Sequence, residues 1–179
     1  MRQRRRPIVS LSHLRRLSFA AIVFASAAAS PLEAQDSQTL ATFSRDNLKA
    51  ALTAIGATHE DSRTGKSVNV IFGGGLKANA VTTACQDEEN KSECYGTSIL
   101  ATFGKPDAAS ESDVRNAINE YNYRENFGRA YLDPEGEISV RIYIISDGGI
   151  SRVNYERQIS LWEESLKDFV SYLYKENEE

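Results

Sequence analysis

The chain has 179 residues, 41% of them hydrophobic, and sets 25 acidic against 21 basic side chains for a net charge of −4. A negative surface repels phosphate backbones and anionic headgroups, which removes the electrostatic drive for nucleic-acid or peripheral-membrane binding. Two cysteines and two histidines are too few for an ordinary metal cage, so no metal is expected, and no other cofactor either.

Arg2, Arg4, Arg5, Arg6, Arg15 and Arg16 stand ahead of an uncharged run from Leu17 to Ser30, the order of a secretory signal. The run holds 14 residues, short of the about 20 needed to cross a bilayer, so cleavage is expected and stable membrane anchoring is not. Ala27-Ala28-Ala29 before Ser30 and Ala34 before Gln35 both satisfy the small-residue cleavage rule, which makes 1–34 a signal peptide cut between 29 and 34. Arg15-Arg16 resembles a twin-arginine signal with its spacing off by one. No cysteine follows at the position a lipoprotein would need. The leader takes six basic residues and one acidic residue with it, leaving 15 against 24, or nine net negative charges. The exported product belongs in the periplasm, where Cys85 and Cys94 are expected to pair. Such a bridge closes a short loop and contributes roughly 2 to 3 kcal/mol by restricting the unfolded chain.

Residues 35–43 read as a linker. Ser44, then Leu48, Ala51, Leu52 and Ile55 at helical spacing, then Gly56, predict a capped amphipathic helix. The period changes to two after Thr58, giving strands near 58–63, 67–73, 78–85 and 95–103. The last two form a hairpin with its tip at Gln86 to Glu93, which sets the cysteines opposite each other. After Pro106, Ser110 and Asp113 fit a capping box ahead of Val114, Ala117, Ile118 and Tyr121, a second helix ending near 126–128. Arg129 to Leu132, the turn Asp133-Pro134-Glu135-Gly136, and the alternation Ile138, Val140, Ile142, Ile144 predict a hairpin. A third helix carries Tyr155, Ile159, Trp162, Leu166, Phe169 and Leu173 on a narrow seam, and 175–179 form an acidic tail. The seam has two readings: a core stripe laid on the sheet, or a face shared with a second subunit. The fold class is α+β, one domain over 44–174, with helices packed on an antiparallel sheet in the order helix, three or four strands, helix, two strands, helix.

Motifs that carry chemistry are missing. Thr64-Gly65-Lys66-Ser67 resembles the end of a phosphate loop, but Glu60 stands where the first glycine is required and a strand follows instead of a helix. Gly73-Gly74-Gly75 with Ala78 meets the dinucleotide spacing with no βαβ unit behind it. His59 is the sole imidazole after the leader, with no nucleophile elbow, and no spacing singles out a carboxylate pair. Asp87, Glu88 and Glu89 lack the oxygen-ligand pattern of a calcium loop. No catalytic, cofactor-binding or metal-ligating residue is therefore assigned.

The element order, Asn116 to Tyr123 leading into Phe127-Gly128-Arg129-Ala130-Tyr131-Leu132-Asp133, and Gly148-Gly149-Ile150 together resemble the YbjN family of bacterial sensory transduction regulators. The resemblance covers about 44–174 and is surest over 114–160; exported relatives share the cysteine pair. It implies a fold similar to type III secretion chaperones, which are non-enzymatic, commonly dimeric, and bind extended polypeptide. On that basis a protein or peptide partner, or a homodimer, is expected, with the sheet edges and Tyr121, Tyr143, Trp162 and Phe169 as contact candidates. A small envelope hydrolase and a purely structural envelope factor are the alternative functions.

Overall fold

A computed structural model describes residues 38–175. The signal-peptide reading of 1–34 and the tail beyond Lys175 lie outside the described residues. The elements are β1 (Thr39–Leu40), α1 (Arg45–Ala54), β2 (Thr58–Asp61), β3 (Val68–Ile71), β4 (Lys77–Asp87), β5 (Ser92–Phe103), α2 (Glu111–Arg124), β6 (Arg129–Leu132), β7 (Ile138–Ile145), β8 (Ile150–Ser151) and α3 (Arg152–Leu173).

Local chemistry accounts for the helix ends. Ser44 Oγ accepts from Asn47 N–H while Asn47 Oδ1 accepts from Ser44 N–H, both at 3.2 Å, so two otherwise orphaned donors at the start of α1 are satisfied reciprocally. Ser110 and Asp113 repeat the device at α2, with Asp113 Oδ2 2.8 Å from Ser110 N. Ser151 Oγ accepts from Asn154 N–H to open α3.

Six strands form one antiparallel sheet in the order β2-β3-β4-β5-β7-β6, and β1 pairs separately with β8. The Thr64-Gly65-Lys66-Ser67 segment is the tight turn between β2 and β3, closed by Ser62 N–H to Ser67 O at 2.9 Å. Gly73 to Gly75 join β3 to β4. The hairpin of β4 and β5 differs from expectation in length: both strands run through the cysteines to Asp87 and Ser92, so the Cys85–Cys94 disulfide crosses the ladder between directly opposed residues. Asp87 makes the tighter tip possible by accepting from the N–H groups of Glu89 and Asn90.

The three helices cover one face of the sheet. Val68, Val70, Ala80, Ile99, Val140, Ile142 and Ile144 point into that face and are buried. The α3 seam is a core stripe. Its residues Tyr155, Trp162 and Phe169 each meet a ring from elsewhere in the chain: Phe43 stacked at 4.4 Å, Phe72 edge-on at 5.8 Å, and Phe103 edge-on at 5.1 Å.

Residues 38–43 are not a linker. Thr39 and Leu40 pair with Ser151 and Ile150, Arg152 N–H donates to Gln38 O, and Phe43 exchanges both backbone hydrogen bonds with Cys94. Leu40 and Phe43 are buried. Nothing in their immediate neighbourhood forecasts this, because the partners lie far downstream, from Cys94 to Arg152, and only the closed fold brings them into register.

Candidate interaction surface

Among the described residues no helix covers the opposite face of the sheet. Ile71, Tyr143 and Ile145 stand exposed on it, Tyr143 at 53% and Ile145 at 62%. Tyr143 reaches across β5 to meet Thr83 Oγ1 on β4 at 2.6 Å. The crossing passes over Gly96, where a Cβ would lie 2.6 Å from Thr83 Oγ1 and 3.0 Å from the Tyr143 hydroxyl. Glycine there is a condition for the ring to lie across the strand.

The two sheet edges differ. Asn122 on α2 covers the outer edge of β6 with its amide, accepting from Ala130 N–H and donating to Ala130 O, each at 2.9 Å. The side chain thus imitates a further strand and blunts the edge. At the other end, β2 is four residues long and keeps Asp61 paired to Lys49 at 2.7 Å and His59 against Thr53 Oγ1 at 3.0 Å.

A stretch of β7 is left open beside β6. β6 pairs only with Ile138 to Arg141, so among the described residues Ile142 to Ile145 have a strand neighbour on the β5 side alone. Ser146 N–H bonds Tyr95 O in the β5–β7 register, and alternation from there turns the backbone groups of Tyr143 and Ile145 toward the open side. β6 begins late because the preceding chain is pulled into the core. Phe127 O accepts from Ser165 Oγ at 2.8 Å and from the Tyr121 hydroxyl at 3.1 Å. Gly128 (φ +126°) passes so close that a Cβ would lie 2.7 Å from the Tyr121 hydroxyl and 2.9 Å from Trp162 Cδ1. Trp162 Nε1 beneath it is buried with no hydrogen-bond partner among the described residues.

The vacated strip is a groove of about 610 Å³ between Asn126 to Arg129, Arg141 to Tyr143, and Gln158. Arg129 and Arg141 both lie 5.5 Å from the Tyr131 ring centre. Among the described residues no acid lines the groove.

Of the four aromatic contact candidates only Tyr143 is available to a partner. Tyr121, Trp162 and Phe169 are wholly buried, which corrects their assignment as contacts: they are the rings on which α2, α3 and the sheet pack. Burial pushes the Tyr121 hydroxyl up to about 12, against the opposing effect of its bond to Ser165. Helical spacing shows that such residues share a face and is silent on what covers it.

The disulfide expected between Cys85 and Cys94 is present. No cluster of His, Cys, Asp and Glu suited to a metal exists among the described residues. None of their helices is long and apolar enough to cross a membrane. His59 is half-buried on β2 and touches one hydroxyl, Thr53 Oγ1, with no carboxylate hydrogen-bonded to orient its ring among the described residues.

Together these features define an α+β protein whose distinctive surface is sheet, with no assembled catalytic set among the residues the sequence singles out. The YbjN family, described as "Putative bacterial sensory transduction regulator", matches residues 44–175, and the chain belongs to it. The crystal structure of YbjN from E. coli, called a putative transcription regulator, is similar in fold at 12% identity and a TM-score of 0.56, covering 74% of this chain and 92% of that one. No curated protein sequence matches.

Proposed function

We propose that this member of a regulator family is a non-enzymatic binding module of the periplasm whose ligand is protein or peptide, in a chaperone-like or regulatory role. The observation that carries the reading is the open stretch of β7. Backbone amides without partners invite strand addition, and those of β7 lie beside a groove that carries two arginines. The leader supports export, and the cross-strand disulfide fits an oxidising compartment. The net negative charge favours neither nucleic acid nor lipid.

The Thr53 to His59 contact of 3.0 Å favours a second reading, an envelope hydrolase. Its exposure and the lack of an orienting acid weigh against it. The test is crosslinking in the envelope fraction of cells making the tagged chain, followed by identification of the captured partner. A reproducible periplasmic polypeptide partner is expected. A chain retained in the cytosol, or one that turns over an ester, peptide or glycan and loses that activity in His59→Ala, would overturn the reading.

A further inference from the structure

Three features converge on the strip beside β6: unpaired amides on Tyr143 and Ile145, a groove with no acidic lining, and two arginines sharing one tyrosine. The inference drawn from them rests on the binding-module reading and narrows it.

We propose that the open edge of β7 receives an extended acidic segment of a partner protein, which adds as a strand in line with β6 and places a carboxylate between Arg129 and Arg141. The register follows from the sheet. Arg129 faces Arg141 across the β6–β7 ladder, so a strand continuing β6 sets its next paired residue opposite Tyr143. In such a pair both residues exchange their N–H and C=O bonds and their side chains share a face. That face is the one carrying Arg129, Arg141 and Tyr143, and diagonal neighbours on it are within reach of long side chains. A glutamate at that position meets both guanidinium groups, which have no ion pair with any described carboxylate even though most basic residues of the helices do. A charged pair of this kind is the stronger sort of hydrogen bond.

The chain's own preceding segment does not fill the strip, because Ser165 and Tyr121 hold Phe127 O in the core. A phosphate polymer would meet the arginines but offers no ladder of amides to the backbone of β7. A second copy of the chain would gain a strand contact of four residues, few beside the roughly 20 to 30 a side of ordinary stable interfaces.

The experiment measures fluorescence anisotropy of the purified chain with a short labelled peptide alternating valine and glutamate. Binding is expected, weakening with salt and falling about tenfold in each of Arg129→Ala and Arg141→Ala. Both arginines are exposed, so the variants keep the parent's circular dichroism and melting behaviour. N-methylation of the glutamate amides abolishes binding, whereas N-methylation of the valine amides leaves it, since only the glutamate residues pair with β7. Equal tolerance of both methylation patterns, or indifference to the arginine changes, would overturn the proposal. Competition by polyphosphate as effective as by unlabelled peptide would make the strip a general anion site and overturn it too. So would a dimeric parent whose arginine variants run as monomers, which would assign the edge to a second copy. Peptides selected from a random library that bind the parent and the double arginine variant alike would sink this site and keep the binding module; a library yielding no binder would sink both.

Discussion

The Tyr155 hydroxyl meets Thr97 Oγ1 at 2.8 Å in a place water does not reach. Burial raises the Tyr155 pKa, so the group stays a neutral donor or acceptor for the strand beneath it. Tyr155→Phe removes one partner and leaves Thr97 unsatisfied, which costs about 1 to 3 kcal/mol. Adding Thr97→Val removes the stranded hydroxyl, and the double variant is expected to recover most of the loss. Denaturant unfolding of the four proteins in a double-mutant cycle reads the coupling; additive effects would show that the pair contributes through packing and not through its bond. At this scale the sequence was informative about identity and spacing. Tyr155 is legible as a seam residue, while its contact with a threonine fifty-eight positions away is not.

Among the elements, α2 shows most directly how local pattern becomes structure. Ser110 and Asp113 announce the cap, and both halves of the box form. Hydrogen bonds from the Ser110 hydroxyl and then its backbone N–H hold the Asp113 carboxyl below its ordinary value of 3.8. A carboxylate with a lowered folded-state pKa adds stability that is present above its unfolded value and disappears as pH falls through the folded one. Thermal melts across the acid range should therefore show Asp113→Asn less stable than the parent at neutral pH, with the gap closing in acid. A gap that stays constant would place the effect on packing and not on the charge of the cap. The β elements were legible to the same depth where the period of two was clear, as in Ile138 to Ile144. Strand ends were not: β4 and β5 outrun their hydrophobic pattern because Asp87 turns the tip two residues beyond Cys85.

For the whole molecule, the Cys85–Cys94 bridge does more than join two strands. Cys94 also exchanges backbone bonds with Phe43, whose ring stacks on Tyr155, so the hairpin, the N-terminal segment and α3 meet at one point. Replacing both cysteines by alanine is expected to lower unfolding stability by roughly 2 to 3 kcal/mol, the entropy of closing a loop of this length. Urea denaturation of the oxidised parent and the double variant measures it. A far larger loss, with early melting of the Phe43 contact seen by amide exchange, would mean that the bridge organises the native junction and does not merely restrict the unfolded chain.

Periodicity, capping residues, turn chemistry and the cysteine pair were enough by themselves to determine three helices, the hairpins, the α+β class and the disulfide. Each of those signals acts between residues a few positions apart, so the order of side chains carries it. The burial of Tyr121, Trp162 and Phe169, the pairing of β1 with β8, and the open side of β7 were decided only by tertiary structure. They depend on which distant segments come together: on Asn122 covering β6, and on Ser165 and Tyr121 drawing Phe127 inward past a glycine. A strand edge is free or covered according to its neighbours in space, and adjacency along the chain does not contain that information.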